Sequence, residues 1–172
     1  MIVKLKERDL ETKFGTFREC LYYDGQAESI AIVMGDVENG DNILCRIHSS
    51  CISAHVFNSA ECDCREQMGN SQAMIEREGK GVIIYLDQEG KGNGHLALMA
   101  SIEHKRAGSK QSEAYEKAGF EKDARSFRPA AEILVSLKVK SVVLLTNNAE
   151  KASDLQKASI NVSETWELET NN

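Results

Sequence analysis

The chain has 172 residues, a net charge of −6 at pH 7, five cysteines and a single proline, Pro129. That length suits one domain, residues 1–172, with a core of its own, and the ordinary apolar content excludes a disordered chain. The acidic balance argues against a general nucleic-acid or membrane-surface role, no apolar run reaches transmembrane length, and residues 1–11 are too charged for a signal segment, so a cytoplasmic protein is expected.

Residues 14–23 and 28–34 read as strands joined by a turn at Asp24, Gly25 and Gln26, and a second loop covers 35–41. A third strand, 43–48, delivers Arg46, His48, Ser49 and Ser50 to a cysteine-rich loop. These strands are expected to form an antiparallel meander that feeds the loop. From about 63 to 78 the pattern turns helical, and Gly79 and Gly81 end it. Residues 81–86 form a continuous apolar strand, followed by the glycine-rich stretch 87–94 and a helix over 95–106. Strand, glycine loop and helix together present backbone N–H groups to an anion, and Lys91 adds charge. The stretch is not a Walker A sequence, and a plain turn remains an equal reading.

A short helix is predicted over 111–118. Asp123 and Arg125 then lie two apart on an extended or turn segment and can share a direction. A helix over 129–138 begins at Pro129, where proline is tolerated. A second buried strand, 141–145, leads into Thr146, Asn147 and Asn148. A helix over 149–158 carries Lys151 in its first turn, a last strand covers 161–166, and residues 169–172 are expected to fray. The fold class is mixed α/β (α+β), with mixed sheets flanked by helices. The polar loops lie at the C-terminal ends of strands, where ligands gather in such sheets.

Cys51, Cys62 and Cys64 form a C-x10-C-x-C cluster that brings three thiols together. Three readings are open. Three sulfurs and a water make an open, catalytic zinc; a fourth ligand from His48 or His55 makes a closed, structural one; or no metal binds. The polar run around them (Glu61, Asp63, Arg65, Glu66) is a poor place for core cysteines. Cys20 and Cys45, in strand contexts, read as core residues.

The runs RIHSSC, ECDC, GVIIYLDQEGKGNG, DARSF and LLTNNAEK, in this order and at these intervals, resemble GTP cyclohydrolase II over about residues 12–166. The resemblance implies a zinc enzyme that opens the imidazole ring of GTP, expels formate and releases pyrophosphate, giving a diaminopyrimidine ribosyl phosphate for flavin synthesis. It implies Cys51, Cys62 and Cys64 as zinc ligands and Mg²⁺ on the nucleotide triphosphate. Arg46, Ile47, His48, Ser49 and Ser50 match the substrate-binding run. Gln67 matches a base contact, Glu89, Gly90 and Lys91 a substrate loop, and Gln111, Thr146 and Lys151 further nucleotide contacts. Asp123 matches the proposed proton acceptor. Arg125 matches a proposed nucleophile, but an arginine stays protonated, and stabilising phosphate charge is its natural role. The family works as a homodimer, and the same is expected here.

The chain departs from the family pattern at several points. Lys91 stands in place of an arginine, which keeps the charge and loses the bidentate fork. Gln111 replaces a threonine, and His95 follows the glycine loop where an apolar residue is usual. Ile102 occupies the position of a tyrosine and has no hydroxyl to offer. Tyr115 is a candidate to fill in for it. The alternatives are full formate release, a reaction that stops at the formamidopyrimidine, a close purine nucleotide in place of GTP as substrate, or a regulatory purine-nucleotide-binding protein without turnover. Family members continue past the last strand, yet with the main motifs intact a complete catalytic domain is expected.

Overall fold

The computed structural model describes residues 1–170, with residues 149 and 150 described by backbone alone. One seven-stranded mixed sheet runs through the molecule. Its strands are β1 (Val3–Thr12), β2 (Gly15–Tyr23), β3 (Glu28–Met34), β4 (Ile43–Ser49), β5 (Gly81–Leu86), β6 (Ser141–Leu145) and β7 (Asn161–Trp166), in the spatial order β1-β2-β3-β5-β4-β6-β7. The helices are α1 (Ile52–His55), α2 (Cys64–Glu78), α3 (His95–Arg106), α4 (Gln111–Lys117), α5 (Arg128–Ser136) and α6 (Ala149–Lys157).

The antiparallel part is β1-β2-β3, closed onto β5. At the β2–β3 turn, the Asp24 carboxylate accepts from the N–H groups of Gln26 and Ala27 at 2.8 and 2.9 Å. The expected meander therefore stops at β3. Strand β4 lies one place further in, parallel to both β5 and β6. The reason is the crossover through α2, which covers one face of the sheet and returns the chain in the same direction as β4. Parallel strands have their C-terminal ends at one edge, so the loops after β4, β5 and β6 meet there.

Burial on both faces explains the unbroken apolar runs. In β5, Val82, Ile84 and Leu86 pack with Cys45, Ile47 and Leu134 on one side, while Ile83 packs with Phe17, Leu44 and Ile75 on the other. Cys20 and Cys45 are fully buried core residues. Strand β1 escaped prediction because nearly all of it is exposed, so it carries no inside-outside alternation to read. Residues 169 and 170 do not fray. Asn70 donates to the Glu169 carbonyl and the Thr170 hydroxyl donates to Asp63, at 2.6 and 2.7 Å. The rest of that segment, 171–172, lies outside the described residues. Among the described residues, no helix is long and apolar enough to cross a membrane.

Candidate active site

The three cysteines come together from three local structures. Cys51 is the N-cap of α1, Cys62 lies in the following loop, and Cys64 opens α2 behind Asp63. Their sulfurs all lie within 4.8 Å of one another, and those of Cys51 and Cys62 are 3.5 Å apart. Tetrahedral zinc with Zn–S bonds of about 2.3 Å needs sulfurs about 3.8 Å apart, so the cluster fits that ion. The Cys51 thiol is drawn down to about 6, first by its hydrogen bond with Cys64. Cys64 is pushed up by the same contact and then by burial, and Cys62 chiefly by burial. One thiolate thus forms readily, and a bound dication would favour the other two.

Among the described residues this ligand group holds three sulfurs and no histidine. His48 and His55 instead face each other, Nε2 to Nε2, at 2.8 Å. Of the three open readings, the one in which a histidine closes a four-ligand site finds no support in this geometry.

A cavity of about 480 Å³ opens over the cysteines. Arg46, His48, Ser49 and Ser50 line it from the end of β4, and Gln67 from α2. Glu89, Gly90 and Lys91 line it from the glycine loop, Gln111 from α4, Lys151 from α6, and Arg125 from the segment before α5. Asp123 stands behind Arg125. It accepts from the Arg125 Nε at 2.8 Å and from Nη2, a bidentate pair. Burial opposes ionisation of Asp123, but the bonds and charge of Arg125 outweigh it and hold the carboxyl below its ordinary range.

Cations dominate this pocket. Arg46, 4 % exposed, donates to the Leu145 carbonyl at 3.0 Å and to Gln67 Oε1. Lys151, 7 % exposed, donates to the Ile47 carbonyl at 3.2 Å. Burial, reinforced by Arg46 and Arg125, lowers the Lys151 ammonium to about 7. Burial also brings Arg46 to about 10 and His48 to about 3, so His48 is neutral. Lys91 reaches Ser112 at 3.0 Å. Asp123 balances Arg125, and Glu89 also lines the cavity, so positive side chains outnumber negative ones here without standing alone.

Several expected site residues sit differently. The Ile47 side chain belongs to the core, and only its carbonyl serves the site, by holding Lys151. Thr146 is buried away from the cavity, where its hydroxyl bonds the backbone of Asn148 at the start of α6. Glu89 accepts from the Ile52 N–H at 2.9 Å, which ties the glycine loop to the first turn after Cys51. The N–H groups of Gly92, Asn93 and Gly94 bond carbonyls of residues 88–90 and close the loop on itself. These three N–H groups are thereby occupied within the loop. Gly90 has φ +59° and a Cβ there would fall 2.2 Å from the Gly94 carbonyl oxygen, so this tight loop requires glycine. His95 is an exposed helix start.

Ile102 lines the cavity, as does Tyr115, which is fully buried with its hydroxyl beside Gln111 and Ser101. Sequence reasoning missed two supporting residues. Asp63 accepts from Gln67 Nε2 at 2.8 Å, a pairing signalled by their i, i+4 spacing. Gln88 lines the cavity and donates to the Ser126 carbonyl at 2.7 Å. No local pattern announces that second contact.

The sequence profile of the GTP cyclohydrolase II family matches residues 3–167. A protein called "Riboflavin biosynthesis protein RibBA" from Bacillus mycoides (strain KBAB4) is 40% identical over 166 residues, covering 95% of this chain and 42% of its own length. A "GTP cyclohydrolase-2" from Archaeoglobus fulgidus is 43% identical over 159 residues, covering 91% of this chain and 42% of its own. The chain thus spans about two-fifths of the length of the curated relatives it matches. Among solved structures, RibBX, a two-domain 3,4-dihydroxy-2-butanone 4-phosphate synthase from A. baumannii, matches at a TM-score of 0.54 and 15% identity. That match covers 96% of this chain and 40% of the other, and at such identity it speaks for the fold alone.

Proposed function

Because this chain belongs to the GTP cyclohydrolase II family, we propose that it hydrolyses the imidazole ring of GTP, releasing formate and pyrophosphate and giving a diaminopyrimidine ribosyl phosphate. The observation that carries this reading is a three-sulfur cluster open to a cavity walled by buried cations. Cys51, Cys62 and Cys64 would hold Zn²⁺, which when bound supplies an acidified water for attack on an electrophilic carbon. Gln67 and the β4 end, Arg46 to Ser50, would receive the base. Arg125, Lys91 and Lys151 would hold the phosphates, with Mg²⁺ accompanying them, and Arg125 would stabilise the charge that builds as pyrophosphate leaves. Asp123 fixes the Arg125 fork and is the nearby group that can take a proton. Glu89 would act mainly by tying the phosphate loop to the metal loop. This domain would act in the cytoplasm, as part of a homodimer, in riboflavin biosynthesis.

A second reading has its own observation. Ile102 lines the cavity and offers no hydroxyl for a second hydrolysis, so the reaction would stop at the formamidopyrimidine nucleotide. A regulatory nucleotide-binding role is the limiting case of the same loss. Mass analysis of products from zinc-loaded protein with GTP and Mg²⁺ decides among them. A product lacking both formyl carbon and pyrophosphate is expected. A ring-opened product that keeps the formyl group selects the second reading, and unchanged GTP removes both enzyme readings.

A further inference from the structure

A chain of polar contacts runs from the metal loop to α1, and the chemistry of its members sets its direction. The Thr170 hydroxyl and Gln67 Nε2 both donate to the Asp63 carboxylate, at 2.7 and 2.8 Å. With its nitrogen turned to Asp63, Gln67 offers its oxygen to Arg46 Nη2. A guanidinium donates and never accepts, so His48 Nδ1, 3.5 Å from the same Nη2, presents a lone pair. His48 is 1 % exposed and neutral, so its one proton is on Nε2. That Nε2–H donates to His55 Nε2 at 2.8 Å, with the rings inclined at 69°. The Tyr85 ring lies nearly parallel to that of His48, with centroids 6.5 Å apart.

We propose that His55 is a positioning residue for the ligand cavity: by accepting from His48 Nε2–H it fixes the tautomer that turns a lone pair toward Arg46, and so holds the guanidinium in the cavity wall. The inference rests on the reading of that cavity as a purine-nucleotide site. His55 itself does not line the cavity, and it lies outside the sulfur cluster. Without its acceptor, the buried His48 Nε2–H is left unpaired. The ring relieves this by carrying its proton on Nδ1 instead, and that sets one N–H against another at Arg46. Loss of one buried hydrogen bond of this kind corresponds to about a tenfold weaker hold on the ligand.

The test uses His55→Leu, which removes the acceptor, and His55→Gln, whose amide oxygen replaces it. Long-range ¹H–¹⁵N spectra of the histidine rings are recorded on zinc-loaded protein without nucleotide, and KM and kcat are measured with GTP. Wild type is expected to show His48 protonated at Nε2 and bare at Nδ1. In His55→Leu the proton moves toward Nδ1, and KM rises about tenfold while kcat stays within about twofold and zinc content is unchanged. His55→Gln restores both the tautomer and KM. The proposal is overturned if wild-type His48 carries its proton on Nδ1, as it would with a cation bridging the two Nε2 atoms. It is equally overturned if His55→Leu leaves tautomer and KM as in wild type, or if His55→Gln behaves like His55→Leu. Should GTP prove not to be a ligand, the proposed function falls, and the tautomer alone then judges this inference: an unaltered Nε2–H in His55→Leu sinks it.

Discussion

Lys151 sets stability against binding, and Lys151→Met separates the two. The ammonium is 7 % exposed among Arg46, Arg125 and the Ile47 carbonyl, and burial lowers it to about 7 from an ordinary 10.5. At 1.36 kcal/mol per pH unit the gap amounts to a ceiling of roughly 5 kcal/mol against the folded state. Methionine keeps the apolar stem and gives up the bond to Ile47, worth about 1 kcal/mol, so a net gain of at most about 4 kcal/mol is expected below pH 7. For a chain of this size that raises Tm by at most roughly 8–16 °C. The direction with pH follows from linkage. Below about 7 both states carry the proton and the folded state bears the full cost. From about 7 up to 10.5 the unfolded chain keeps a proton the folded one has lost, so wild type gains stability across that window and the variant's advantage shrinks. Thermal melts at about pH 6.5 and 9.5 measure both ends of this range. A variant less stable than wild type at the lower pH, or an advantage equal at both, would refute the reasoning. The same lysine predicts proton uptake on GTP binding near pH 8, approaching about one proton per nucleotide, because phosphate charge restores the ammonium. Calorimetry in two buffers of different ionisation enthalpy reads that uptake, and Lys151→Met should abolish it.

Three further outcomes are expected. Cys62→Ser replaces a thiolate with a poor zinc ligand, so bound zinc falls from one per chain to near none and turnover is lost with it; metal analysis beside a product assay checks this, and retained turnover would exclude a metal-based mechanism. Ile102→Tyr returns a hydroxyl to the cavity wall and should raise the ratio of formate released to rings opened, whereas an unchanged ratio removes Ile102 from the explanation. Gly90→Ala forces a side chain against the Gly94 carbonyl at a left-handed φ, and should cost about 2–3 kcal/mol by denaturant unfolding while weakening GTP binding.

The sequence spoke most clearly where side-chain chemistry is sparse and specific. Three cysteines in a polar run need a reason to converge, and the sulfurs do converge. The apolar runs at 81–86 and 141–145 are strands buried on both faces, and Asp123 with Arg125 forms the pair their spacing allows. Long-range placement was not legible. Strand β5 inserts between β3 and β4 because a helical crossover returns it parallel, and no local pattern encodes that neighbour. Strand β1 is exposed on both faces and so lacks alternation. The buried Thr146 hydroxyl is taken up by the turn before α6, and the inward turn of the N–H groups of Gly92, Asn93 and Gly94 depends on carbonyls of the same loop. His55 gave no signal as a partner of His48, since their meeting depends on the short helix α1 after Cys51.

The measurement that bears most directly on the account is the fate of carbon 8 of the purine. GTP labelled there with ¹³C, incubated with zinc-loaded protein and Mg²⁺ and followed by carbon NMR, should lose its imidazole resonance and yield labelled formate. A label that stays in the intact imidazole ring, with zinc bound and nucleotide in place, would contradict a ring-opening enzyme.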